Sequence, residues 1–120
     1  MMLFYFLPTL LFLLAMTRSA APDKSGRQSD DRVARMLHYS GMVQGVGFRA
    51  TTAAIARSHP VTGWVKNLAD GRVQLFVEGR ANEVTRFLDA VRNHWQHYIN
   101  DEEITEMPPT GDCKTFSIRY

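Results

Sequence analysis

The chain has 120 residues, of which 45% are hydrophobic and 22% are charged, and its formal net charge is +2. These values are typical of one globular domain. The Lys and Arg residues are spread along the chain, which argues against a nucleic-acid-binding face. The single cysteine, Cys113, excludes an internal disulfide and a cysteine-based metal site.

The first segment differs in composition from the rest. Residues 1–16 carry no charge and are followed by Arg18 and small residues, a pattern typical of a secretory signal peptide. No Lys or Arg precedes the apolar run, however, and Pro8 interrupts a stretch that is short against the ~20 residues of a membrane-spanning helix. We expect residues 1–20 to be a leader outside the fold. It either directs export or membrane tethering, or it precedes a true start near Met16 in a cytoplasmic protein.

Residues 21–32 (APDKSGRQSDDR) are polar and contain almost no apolar side chain. Such a segment cannot bury a hydrophobic face, so it is interpreted as a linker. The folded domain is therefore expected to span residues 33–120, a length that supports one modest core.

The first half of this domain predicts a strand, a loop and a helix. Leu37 and Tyr39 alternate with polar neighbours, which predicts a strand with one buried face. Residues 41–47 form a glycine-punctuated loop. Helical spacing then begins and Pro60 stops it. The predicted helix face consists of Phe48, Thr52, Ile55, Ala56 and His59.

The second half predicts a hairpin, a second helix and a closing strand. A strand at 61–68 leads through a glycine turn at 69–71 to a third strand, in which Val73, Leu75 and Val77 alternate with Gln74, Phe76 and Glu78. Residues 98–105 are weakly strand-like, and 115–120 alternate clearly. The second helix carries a continuous apolar stripe of Val84, Phe87, Leu88, Val91 and Trp95.

The resulting order is β-α-β-β-α-β, with a possible extra strand before the last. This order is typical of an α+β fold in which an antiparallel sheet of four or five strands carries both helices on one face. Because the topology serves many functions, only the site can indicate which one applies here.

The loop before the first helix is the strongest chemical feature. Residues 44–49 read QGVGFR, and glycines allow successive backbone N–H groups to surround an anion. The start of a helix also favours negative charge. Arg49 lies in that first turn, where a cation is unfavourable unless an anion is bound, and its guanidinium matches two phosphate oxygens. The glycines alone are equally compatible with a structural tight turn, but together with Arg49 they favour phosphate binding.

Several phosphate chemistries are excluded. No Lys-Ser/Thr pair follows the glycines, so the loop is not of the Walker type, and it holds no cysteine nucleophile. The four histidines have no metal-ligand spacing, and no Ser-His-Asp set can be argued. A phosphate site without nucleophile or metal fits a phosphate with a good leaving group, such as an acyl phosphate. We therefore expect no metal and no cofactor.

Two long motifs resemble those of the acylphosphatase family, and the resemblance covers nearly all of residues 33–120. The matching segments are 41–49 (GMVQGVGFR), 62–67 (TGWVKN), 70–73 (DGRV), 77–79 (VEG), 86–88 (RFL) and 116–120 (FSIRY).

The resemblance implies a ferredoxin-like α/β sandwich and the hydrolysis of acyl phosphates to a carboxylate and orthophosphate. By position, Arg49 would be the family's phosphate-binding arginine, and Asn67 would orient the attacking water, so these two are the expected catalytic residues. Ala50 departs from the family, which often has a larger residue there, and is expected to widen the mouth of the site. The expected phosphate-binding residues are Gln44, Gly45, Val46, Gly47, Phe48 and Arg49.

Two alternatives use the same sequence features. A phosphate-binding or acyl-phosphate-binding module without turnover would need the loop but not Asn67. An RNA-recognition domain shares the sheet topology, but residues 72–77 (RVQLFV) lack the aromatic motif it requires. We therefore expect a monomer that acts on a small acyl phosphate, without nucleic acid, and that meets a membrane only through its leader.

Overall fold

The computed structural model describes residues 31–120. The predicted leader and residues 21–30 of the predicted linker lie outside the described residues. The first strand begins at Arg32, the last residue assigned to that linker. The elements are β1 (Arg32–Gly41), α1 (Phe48–Ala56), β2 (Thr62–Asn67), β3 (Val73–Arg80), α2 (Ala81–Trp95), β4 (Ile99–Met107) and β5 (Phe116–Arg119).

Five strands form one sheet in the order β4-β1-β3-β2-β5. The pairs β1–β3, β1–β4 and β2–β3 are antiparallel, whereas β2 and β5 are parallel. The predicted antiparallel sheet is thus confirmed for the first four strands, and β5 makes the sheet mixed. The reason is the connection after β4, which takes the chain from one edge of the sheet to the other. β5 then runs in the same direction as its neighbour β2.

Both helices pack on one face of the sheet and share a single core. The predicted stripe of α2 is buried along its whole length, and Trp95 at its end is 4% exposed. The alternating residues of β3 predicted to face inward are fully buried as well. This is the ferredoxin-like βαββαβ arrangement that the resemblance implies, extended by β5. The core residues contributed by the strands are Leu37, Tyr39, Val65, Val73, Leu75 and Val77.

Helix α1 is shorter than its sequence pattern predicts. The pattern extends to His59, but the helix ends at Ala56. Residues 57–59 form tighter turns, in which each N–H donates to the carbonyl three positions earlier, as from His59 to Ala56 at 3.1 Å. Pro60 follows these turns, and the residue before a proline disfavours the helical conformation. His59 therefore lies beyond the helix.

The weakly predicted segment at 98–105 is a full edge strand. β4 pairs with β1 from Ala34 to Gly41, although most of its residues are exposed. Few apolar side chains hold it, and ion pairs add to the backbone ladder. Arg35 contacts Glu106 at 2.8 Å, and Arg92 of α2 contacts Glu102 at 2.9 Å.

A buried carboxylate fastens the connection between β4 and β5. Glu78 of β3 is fully buried on the sheet face opposite the helices. It accepts hydrogen bonds from the Gly111 N–H at 2.8 Å and from the Thr110 hydroxyl at 3.3 Å. The crossing segment is thereby held against the central strand, which satisfies a charge that would otherwise be costly to bury. Neither helix of the described residues is long and apolar enough to span a membrane.

Candidate active site

The glycine loop between β1 and α1 has the backbone geometry that the sequence predicts. Gly45 and Gly47 have φ angles of 78° and 85°, which L side chains rarely adopt. A Cβ at either position would meet no atom within 4 Å, so the backbone angle and not space demands glycine there. These angles turn the chain sharply into α1.

The loop and the start of α1 leave a run of unpaired donors. Within residues 31–120, the backbone N–H groups of residues 45–50 donate to no other backbone group, and no side chain of α1 caps its N-terminus. The first helical hydrogen bond runs from the Thr51 N–H to the Gly47 carbonyl at 3.0 Å. The first turn also contains no acidic side chain. Free N–H groups at the positive end of a helix dipole favour the binding of an anion.

Arg49 lies in this first turn, half-buried and held by the end of the chain. Its Nη1 atom donates to the Arg119 carbonyl at 3.3 Å. Its guanidinium carbon lies 4.8 Å from the centre of the Tyr120 ring, close enough for a cation–π contact. Arg119 and Tyr120 therefore orient the guanidinium of Arg49, which also lines the cleft.

Asn67 reaches the same cleft from the end of β2. Its Oδ1 atom is buried and has no hydrogen-bond partner among the described residues. A buried amide oxygen without a partner is costly in a folded protein. The amide can accept a hydrogen bond through Oδ1 and donate through Nδ2. It therefore has the capacity to hold a small polar molecule.

Gln44 and Val46 lie apart from the cleft, although both belong to the predicted phosphate loop. The Gln44 Nε2 atom donates to the carbonyls of Leu68 and Arg72 at 2.8 and 2.9 Å. The Val46 side chain packs partly buried against the core. Their side chains thus face the β2–β3 turn and the core, so any contribution of these two residues to anion binding comes from the backbone.

Three aromatic rings pack beside the glycine loop and the start of α1, which together are called the cradle below. Phe48 is 2% exposed, and its ring lies 4.9 Å from Trp95 and 5.5 Å from Tyr39. Burial, and secondarily the Glu102 carboxylate, raise the pKa of Tyr39 far above its usual range. Tyr39 therefore stays neutral and acts as a packing residue. Phe48 is the first residue of α1, so these ring contacts anchor the start of the helix in the core.

The β2–β3 turn beside the cleft is braced by its own carboxylate. Asp70 accepts from the Arg72 N–H and from Arg72 Nε, each at 3.0 Å. These hydrogen bonds, the backbone one first, lower the pKa of Asp70 below its usual value. The turn that follows Asn67 is therefore closed by an ionised side chain.

The cleft itself has a volume of about 180 Å³. It brings together Arg49 and Asn67, which are 18 positions apart in the chain, and several residues that sequence reasoning did not assign to the site. The closing segment 116–120 belongs to the family resemblance, but nothing local in it indicates that it borders Arg49. The lining residues are Val43, Gly45, Gly47, Phe48, Arg49, Ala50, Asn67, Ile118 and Tyr120.

The side chains of residues 31–120 do not form a metal-binding cluster. No group of three or more His, Cys, Asp or Glu residues among them is close enough to hold a metal ion. The charged group that the cleft offers to an anion is the Arg49 guanidinium, together with the N–H groups of the loop and helix start.

Sequence and structure comparisons agree with this architecture. The acylphosphatase family model matches residues 35–118. An acylphosphatase of Syntrophus aciditrophicus is 40% identical over 85 residues, which cover 70% of this chain and 88% of that protein. The Bacillus subtilis acylphosphatase is 39% identical over 90 residues, which cover 71% of this chain and 99% of that protein.

Solved structures give the same result. The crystal structure of the Bacillus subtilis acylphosphatase superposes with a TM-score of 0.67 at 34% identity, covering 73% of this chain and 99% of that one. An acylphosphatase from Coxiella burnetii superposes with a TM-score of 0.67 at 26% identity, covering 78% of this chain and 98% of that one. The family model spans more than half of the chain, and the matched segment includes both Arg49 and Asn67. This chain therefore belongs to the acylphosphatase family.

Proposed function

We propose that this domain hydrolyses acyl phosphates to a carboxylate and orthophosphate by direct attack of water, without a metal ion. The single observation that carries the proposal is the convergence of three features on one cleft. These are the N–H groups of residues 45–50, which have no backbone partner among the described residues, the Arg49 guanidinium and the Asn67 side chain.

The phosphoryl group would be held by the loop and Arg49. The N–H groups supply directed donors and the guanidinium supplies charge and a planar pair of N–H bonds, which together match the three non-bridging oxygens. In the transition state the negative charge of the phosphoryl group spreads over the same oxygens. The donors therefore stabilise the transition state as well as binding the substrate. The half-buried position of Arg49 strengthens these interactions relative to bulk water.

Asn67 would place the attacking water. The Asn67 amide can accept a hydrogen bond from that water and donate one to it, and so direct a water lone pair at phosphorus. The new bond forms between water and phosphorus, and the bond between phosphorus and the acyl oxygen breaks. The leaving carboxylate takes the electron pair of that bond. A phosphate oxygen accepts the proton of the water, since the described residues that line the cleft include no side-chain base.

Turnover of benzoyl phosphate in excess EDTA tests this proposal directly. The full chain is expected to release orthophosphate at a rate that EDTA changes by less than about twofold, because residues 31–120 contain no cluster of metal ligands. A phosphomonoester with a poorer leaving group, such as p-nitrophenyl phosphate, should react much more slowly. The Arg49→Ala variant, purified in parallel, controls for a contaminating phosphatase.

Three results would contradict parts of the proposal. Loss of turnover in EDTA that magnesium or zinc restores would replace the metal-free mechanism. Comparable rates on the ester and the acyl phosphate would require an activated nucleophile. Binding of orthophosphate without any turnover would identify a phosphate-binding module instead of an enzyme.

We also propose that residues 1–20 form a signal that exports this domain, since the apolar run of residues 1–16 is followed by the small residues Ser19, Ala20 and Ala21. Native protein is then expected to begin near Ala20 to Pro22 and to be recovered outside the cytoplasm. N-terminal sequencing of protein purified from fractionated cells checks this. Cytosolic protein that begins at Met16 would instead show that translation starts there and that residues 1–20 are not an export signal.

A further inference from the structure

Gln44 connects the glycine loop to the β2–β3 turn, two segments that are distant in sequence. It immediately precedes Gly45 of the cradle, and its Nε2 atom donates to two carbonyls at the base of the β2–β3 turn. These acceptors, Leu68 and Arg72, are 24 and 28 positions away along the chain. Leu68 directly follows Asn67.

The geometry at Gln44 fixes the orientation of its amide. Both partners are carbonyl oxygens, which can only accept, and an amide NH₂ group has two N–H bonds to donate. The two distances, 2.8 and 2.9 Å, are those of full hydrogen bonds. One N–H bond is therefore used for each carbonyl, and the amide nitrogen is held between the two ends of the turn.

The turn does not depend on Gln44 for its own closure. The Leu68 N–H donates to the Arg72 carbonyl at 2.8 Å, and the Gly71 N–H donates to the Leu68 carbonyl at 3.2 Å. Each carbonyl thus keeps one partner when Gln44 is removed, and no acceptor is left wholly unsatisfied. What Gln44 adds is a fixed separation between the turn and the glycine loop.

We propose that Gln44 is a positioning residue that sets the Asn67 amide at its working distance from the phosphate cradle. The proposal rests on the roles assigned above to Arg49 and Asn67. Catalysis by positioning is sensitive to small displacements, since a shift of about 1 Å can cost ~10²-fold in rate. A hydrogen-bonded amide that ties the cradle to the residue after Asn67 removes that freedom.

The test begins with Gln44→Met in the full chain. Methionine has a similar length, no charge and no donor, so it removes the bridge without altering the electrostatics of the cleft. We expect kcat for benzoyl phosphate to fall by roughly 10-fold, as partial misplacement of one polar group predicts. Inhibition by orthophosphate should change by less than about threefold, because the cradle and Arg49 remain. A parallel loss of orthophosphate inhibition would show that Gln44 acts on the cradle and would overturn the proposal.

A double-mutant cycle with Asn67→Ala separates positioning from a general structural effect. If Gln44 acts through Asn67, Gln44→Met should lower kcat by less than about twofold in the Asn67→Ala background. A further 10-fold loss in that background, equal to the loss in the unmodified chain, would overturn the proposal. If Asn67→Ala alone left kcat unchanged, the assignment of Asn67 would fail, and the inference about Gln44 would fall with it.

Gln44→Lys tests whether a different hydrogen-bond donor can replace the Gln44 amide. An ammonium group can donate to both carbonyls, so this variant should retain kcat within about threefold of the unmodified chain. Should Gln44→Met not fold, this arm still decides the question, because a 10-fold loss of kcat in folded Gln44→Lys protein would contradict a role based on donation. Thermal unfolding of each variant establishes that the compared proteins are folded.

Discussion

Arg49→Ala is expected to reduce kcat/KM for benzoyl phosphate by on the order of 10³-fold or more, the scale associated with an arginine that stabilises phosphoryl-transfer charge. Arg49 is the charged side chain of the cleft, so its removal affects both the ground state and the transition state. Inhibition by orthophosphate should therefore weaken as well, by about 10-fold or more, which corresponds to about 1.4 kcal/mol of binding free energy. Steady-state kinetics with orthophosphate as competitor measures both quantities.

Arg49→Lys should restore little of this activity. A lysine retains the charge but has no planar pair of donors, and it cannot keep the stacking of a guanidinium 4.8 Å from the Tyr120 ring. We expect kcat/KM of this variant to remain at least about 10-fold below that of the unmodified chain. Arg57→Ala, an exposed arginine that follows the same helix, is the matched control and should change kcat/KM by less than about twofold. Near-normal activity of Arg49→Lys would mean that charge alone suffices and that the guanidinium geometry is unimportant.

Asn67→Ala is expected to lower kcat by ~10²-fold or more, as removal of one preorganised polar group does in other enzymes. Orthophosphate inhibition should stay within about threefold, a difference under about 1 kcal/mol. The reason is that Asn67 would contact the water and not the phosphoryl group. Loss of chemistry with binding retained is what removal of an interaction made only in the transition state produces. Folding should be little affected, because Oδ1 has no partner among the described residues.

The matched control for this variant is Asn93→Ala, an exposed asparagine of α2 that is expected to keep full activity. Equal losses of kcat and of orthophosphate affinity in Asn67→Ala would identify Asn67 as a substrate clamp. A large drop in thermal stability would instead identify it as a structural residue. In either case the water-positioning role would have to be reassigned.

Local patterns in the sequence predicted most of the fold. The stripe of α2 could be predicted because helical periodicity depends only on neighbouring residues, and all five of its residues are buried. Alternation located β3 for the same reason, and in the structure Glu78 lies on the face away from the helices. That Glu78 is buried there depends on residues 110 and 111, which cross over it. Sequence alternation carries no information about such a distant segment.

The candidate site likewise has features that the local sequence predicts and features that depend on distant segments. The glycine loop and Arg49 could be identified from sequence because a left-handed backbone and a helix start are local features. The sequence by itself thus predicted most of the elements, the glycine loop and, through the family resemblance, the two residues on which the proposed chemistry depends. Only the tertiary structure decided which groups surround them. The Arg119 carbonyl and the Tyr120 ring reach Arg49 across 70 and 71 positions of chain because β5 pairs in parallel with β2. The Gln44 amide likewise contacts carbonyls of the β2–β3 turn that are 24 and 28 positions away along the chain. Such contacts are set by the packing of remote segments, and no periodicity or spacing near either residue encodes them.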